Sequence, residues 1–132
     1  MTRKWTRKAA FEYFGTKQRN VRWSCSAKSP DGKTVVVTLW KDVFQTRDGS
    51  RVYERDEFDP GTSGLQRESE LMKNLAWAQH KCAGRFNVII ATAKDISADK
   101  RSIKECFPTK MIMRLTSLNP TTGAFAAEAE RA

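Results

Sequence analysis

One stretch limits the fold of this chain more than any other. Val21, Trp23, Cys25 and Ala27 alternate with Arg22, Ser24, Ser26 and Lys28, and Ser29-Pro30-Asp31-Gly32 follows. The run Lys33-Thr-Val-Val-Val-Thr-Leu-Trp40 comes next. Alternation marks a strand with one buried face, Pro-Asp-Gly marks a turn, and β-branched residues mark the returning strand. The segment predicts a β-hairpin with Gly32 in the left-handed position of a type I turn. A three-residue loop then sets Trp23 opposite Leu39, Cys25 opposite Val37 and Ala27 opposite Val35 on an apolar face. The other face pairs Arg22 with Trp40, Ser24 with Thr38 and Ser26 with Val36.

The remaining elements follow from periodicity and breakers. Thr6 to Phe14 reads as a short helix capped by Thr6 and ended by Gly15. Arg51 to Glu54 is a short strand after the turn Thr46-Arg47-Asp48-Gly49. Residues 55–64 form an acidic loop rich in Gly and Pro. Leu65 to Cys82 is a helix stopped by Gly84, with Leu71, Met72, Leu75, Ala78 and Cys82 as its apolar stripe. Phe86 to Ala93 is apolar at nearly every position, as expected of a central strand covered on both faces. Residues 95–104 are polar, with a helical turn expected among them. Lys110 to Leu118 and Ala124 to Glu128 are strands around an Asn-Pro-Thr-Thr-Gly turn. The order αβββαβββ predicts one α+β domain over residues 1–132. Its sheet is expected to be mostly antiparallel and curled or barrel-like.

The 132 residues fit one domain, and 39% hydrophobic content supports a packed core without metal or disulfide. Cys25, Cys82 and Cys106 are odd in number and widely spaced, which argues for free thiols and a reducing, cytoplasmic setting. The polar start of the chain does not read as a signal peptide, and its longest apolar run is too short to span a bilayer. No membrane association is expected.

Charge is the main functional signal. The net charge is +9, and most of it falls on the first quarter of the chain. Concentrated positive charge attracts phosphates in a salt-dependent way, so a nucleic acid, DNA or RNA, is the expected partner. Arg3, Lys4, Arg7, Lys8, Lys17 and Arg19 would form the electrostatic footprint. Arg22, Ser24, Thr38 and Trp40 share the polar hairpin face, where an indole beside a guanidinium and hydroxyls suits a stacked, unpaired or flipped base. Trp77 falls on the polar side of the long helix between Lys73 and Lys81, a second candidate for stacking with phosphate contact.

Signals for catalysis are weaker. His80 and Cys82 are two apart on a helix and do not face each other. His80 and the three cysteines include no C-x-x-C pair for zinc. Glu54, Asp56, Glu57 and Asp59, with Asp42, have the chemistry to hold a divalent cation, which keeps a metal-dependent nuclease or other nucleic-acid-modifying enzyme as an alternative. A solvated loop is the simpler reading. No catalytic residue, metal ligand or cofactor is assigned. A protein-interaction or inhibitor factor meeting an acidic protein partner is a further alternative.

N-V-R-W-S-C-S-A-K-S-P-D-G-K-T-V-V-V-T-L-W-K-D, G-R-F-N-V-I-I-A-T-A-K-D and R-S-I-K-E-C-F-P together resemble a group of small basic proteins of bacteria and phages. That resemblance implies no activity. The strand-rich order with an aromatic-basic face is also similar in outline to PUA-like modules, small curled sheets that include readers of modified bases.

Overall fold

The computed structural model describes residues 5–18, 24–56, 65–97 and 103–130. Two helices and seven strands occur among them. They are α1 (Arg7–Tyr13), β1 (Ser26–Lys28), β2 (Val35–Trp40), β3 (Gln45–Arg47), β4 (Ser50–Arg55), α2 (Leu65–Lys81), β5 (Arg85–Ala93), β6 (Ile103–Asn119) and β7 (Ala124–Ala129). The strands form one sheet in the order β1-β2-β5-β6-β7-β4-β3. Only β2 and β5 are parallel, and every other neighbouring pair is antiparallel. The fold is therefore α+β with a mixed, mostly antiparallel sheet. The sheet is open, with β1 and β3 at its edges, and does not close into a barrel.

Both helix ends of α1 are built as its sequence suggests. The Thr6 hydroxyl accepts the Ala9 N–H at 3.0 Å. At the other end Gly15 has φ +72°, and the Gly15 and Thr16 N–H groups bond to the carbonyls of Glu12 and Phe11. Such a terminus needs a left-handed residue, and glycine adopts that backbone without strain.

The sheet buries both faces of its centre. Toward α2 point Val35, Val37, Leu39, Phe86, Val88, Ile90 and Met113, which pack on Leu71, Met72, Leu75 and Ala78. Toward α1 point Ala27, Val36, Ile89, Ala91 and Cys106, which pack on Ala10 and Phe11. This explains the unbroken apolar runs of β2 and β5: successive side chains enter different cores, and each fully buried one contributes about 1.5–3 kcal/mol.

Three sequence expectations need correction. The first hairpin is displaced by one residue, with Ser26 opposite Val37, Ala27 opposite Val36 and Lys28 opposite Val35. Its turn explains the slip. Gly32 has the expected left-handed φ of +72°, and its N–H bonds to the Ser29 carbonyl. The Asp31 carboxylate, however, accepts the Lys33 N–H, and the Ser29 hydroxyl accepts the Thr34 N–H. Lys33 thus belongs to the loop, and the ladder resumes at Thr34, whose carbonyl accepts the Ser29 N–H. A one-residue slip moves each partner to the opposite face. The pairs expected for Arg22 and Trp23 fall outside the described residues.

The second correction is a seventh strand, β3, which pairs with β4 around Asp48-Gly49. Its three residues are all exposed, so no apolar pattern announces it. The third is β6, which already begins at Ile103, within the stretch expected to be polar and irregular. Its first part pairs with β5 and its last part with β7, through register shifts on both ladders.

Candidate nucleic-acid interface

The face chosen from sequence around Trp40 is covered. Trp40 is half-buried and, like Trp5 and Phe14, packs against the core on the α1 side of the sheet. Thr38 is half-buried on the same strand, and Ser24 is fully buried, its carbonyl accepting the Gln18 side-chain amide at 2.7 Å. The indole and the two hydroxyls therefore do not share an open face here. The reason is the cover supplied by α1, whose Ala10 and Phe11 need the same apolar surface. Arg22, Arg3, Lys4 and Arg19 lie outside the described residues. Arg7 is half-buried beside Cys106, Lys8 is exposed and 3.9 Å from Glu12, and Lys17 is exposed.

A different constellation forms where α2 meets the first hairpin. The Trp77 Nε1–H donates to the Gly32 carbonyl at 2.7 Å, so the indole is half-buried against the turn. The turn fits closely around it, because a Cβ on Gly32 would stand 2.8 Å from Cζ2 of the ring. The Cys82 thiol reaches the Gly32 and Lys33 carbonyls, and burial raises its pKa above the ordinary thiol value. Asn74 also donates to the Ser26 hydroxyl at 2.9 Å, which ties α2 to β1.

This docking gathers cations. Lys28 Nζ lies 4.0 Å from the Trp77 ring centroid, and Lys81 Nζ lies 5.9 Å from it. Lys73 is exposed on α2 one turn before Trp77. None of the three forms an ion pair among the described residues. Lys33 stands in the same turn but beside Asp31. The Ser29 hydroxyl donates to that carboxylate at 2.6 Å and, with the Lys33 N–H, holds its pKa below the ordinary Asp value. Lys81 is also well placed to offset the helix dipole, being in the last turn of α2.

Helical spacing alone groups Lys73, Trp77 and Lys81, whereas Lys28 joins Trp77 only in the folded chain. The wheel also places Trp77 in the middle of a solvated face, whereas a turn far away in sequence covers it. Only tertiary pairing joins residue 28 to residue 77.

The open side of β6, β7, β4 and β3 forms a groove of about 320 Å³ lined by Arg47, Ser50, Glu54, Thr116 and Glu128. Arg47 pairs with Glu54 across it, so the groove has no strong preference for anions. Glu54 is thereby engaged, and no three of His, Cys, Asp and Glu gather among the described residues. Glu57 and Asp59 lie outside them. Among the described residues no helix is long and apolar enough to cross a membrane.

No family model matches the chain, and no curated protein or solved structure is significantly similar to it.

Proposed function

We propose that this protein is a nucleic-acid-binding module that grips the phosphate backbone through Lys28, Lys73 and Lys81 around Trp77. One observation carries this reading: the ammonium groups of Lys28 and Lys81 both lie near one indole, and neither has a carboxylate partner among the described residues. Like charges gathered without counter-charge repel one another. The electron-rich face of the indole offsets part of that repulsion and fixes where the cations stand. A polyanion supplies the rest, and the net charge of +9 adds long-range attraction. Lysines so placed read backbone and position, not sequence.

The test is a titration of DNA and RNA at several salt concentrations with the Lys28→Ala/Lys73→Ala/Lys81→Ala variant. Each lost phosphate contact lowers the slope of log affinity against log salt by about 0.9 for duplex DNA and about 0.7 for single strands. A folded variant with an unchanged slope rules this cluster out.

A further inference from the structure

We propose that the lysines around Trp77 select duplex DNA, with α2 lying across the major groove and Lys73 and Lys81 meeting phosphates on its opposite lips. The proposal rests on the nucleic-acid reading above and narrows the partner from any strand to a B-form duplex.

Trp77 is poorly placed to stack a base. Its Nε1–H is bonded to the Gly32 carbonyl at 2.7 Å, and Lys28 Nζ stands 4.0 Å from the ring centroid. Its Cζ2 edge lies so close to Gly32 that an added Cβ there would be 2.8 Å away. Proteins that hold single strands combine charge with open aromatic faces. This cluster offers charge alone, and charge alone favours a duplex. A DNA duplex carries about one negative charge per 1.7 Å of axis, twice the density of one strand.

The cations are also held in place. Asn74 donates to the Ser26 hydroxyl at 2.9 Å, and Lys28 shares that face of β1 with Ser26. Lys28 therefore stands on a strand docked to α2. Lys73 and Lys81 stand on α2 itself. Cations fixed in this way suit phosphates that are fixed as well. A duplex presents such phosphates, whereas a single strand must first lose conformational freedom to match them.

Spacing distinguishes the form of duplex. Lys73 and Lys81 are both exposed, and no acid lies between them in the chain. Eight helical residues separate them by about 12 Å along the axis. The major groove of B-DNA is about 12 Å wide and the minor groove about 6 Å. The two lysines thus span the first and overshoot the second. The major groove of A-form RNA is deep and narrow and does not admit the helix.

Fluorescence anisotropy at several salt concentrations tests the proposal. The probes are a labelled mixed-sequence DNA duplex, one of its strands, and an RNA duplex of the same sequence. The proteins are the wild type, Lys28→Ala/Lys73→Ala/Lys81→Ala and Ser69→Lys/Lys73→Ala, all altered at exposed side chains. The last keeps the net charge and stretches the spacing to about 18 Å. The wild type is expected to bind the DNA duplex about ten-fold or more tighter than either other probe. The triple variant is expected to lose that preference. The relocated lysine is expected to weaken duplex DNA binding several-fold although the net charge is unchanged. The proposal is overturned if the wild type binds single strand or RNA duplex as tightly as DNA duplex. It is overturned equally if the triple variant keeps the preference, or if Ser69→Lys/Lys73→Ala binds as the wild type does. In those cases the salt slope of the triple variant still judges the phosphate contacts independently. Wild-type protein that binds none of the three probes overturns both readings.

Discussion

The indole N–H of Trp77 and the carbonyl of Gly32 meet at 2.7 Å, and this bond sets the end of α2 against the turn of the first hairpin. It makes Gly32 essential twice over: φ is +72°, and an added Cβ would lie 2.8 Å from a rigid ring. Gly15 has the same φ but nothing within 4 Å of such a Cβ.

The two glycines therefore separate backbone strain from steric clash. Gly15→Ala carries only the left-handed penalty, about 1–2 kcal/mol. Gly32→Ala adds overpacking against Trp77, for a total of about 2–5 kcal/mol. Urea unfolding of both variants measures the difference. Equal losses would mean that the indole swings away freely, and the lysine cluster would then lack a fixed scaffold.

Arg55 and Glu68 give the second prediction. Arg55 Nη2 lies 2.9 Å from Glu68 Oε2, with side-chain exposures of 12% and 5%. The guanidinium also donates twice to the Gly123 carbonyl and covers the Phe125 ring at 4.9 Å. One side chain thus joins the end of β4, the start of α2 and the β6–β7 turn. Glu68→Leu takes this carboxylate away from a largely buried guanidinium and is expected to lose about 3–5 kcal/mol. Adding Arg55→Met is expected to restore part of the loss, because the buried charge is gone. A loss for Glu68→Leu below about 1 kcal/mol, typical of exposed pairs, would show the bridge to be solvated. Denaturant titration of the single and double variants decides.

Sequence made much of the fold legible where one physical signal acted alone. The cap Thr6 and the stop Gly15 lie where local rules put them, and the stripe Leu71, Met72, Leu75, Ala78 is the buried face of α2. The continuous apolar run of β5 is covered on both sides, as expected. The hairpin register failed because two local rules competed. The apolar alternation favoured a three-residue loop, while Ser29 and Asp31 captured backbone amides and lengthened it. Alternation was a weak guide there, since the sheet is buried on both faces and either parity satisfies it. The cation cluster at Trp77 was legible in part, because Lys73, Trp77 and Lys81 follow helical spacing. Lys28 was not, because its neighbour Trp77 comes from the other side of a crossover. The cover over Trp40 depends on where a seven-residue helix docks, which no local pattern specifies.

That cover gives the last prediction. Trp40 shares its cluster with Trp5 and Phe14, next to the buried Ala10, Phe11 and Val36. Removing a well-packed aromatic ring loses transfer energy and leaves a void that α1 cannot fill by sliding, since its Phe11 is already fully buried. Trp40 is only half-buried, so Trp40→Ala is expected to lose about 2–4 kcal/mol, somewhat less than a fully buried Trp. Affinity for nucleic acid, measured well below the unfolding transition, should stay near that of the wild type. Trp77→Ala should behave differently: the platform beneath Lys28 disappears, and the salt dependence of binding should fall with it. Thermal unfolding and anisotropy titrations on the two variants form the comparison. If Trp40→Ala kept full stability and lost affinity, α1 would not be covering that face. Base stacking would then belong to Trp40 itself.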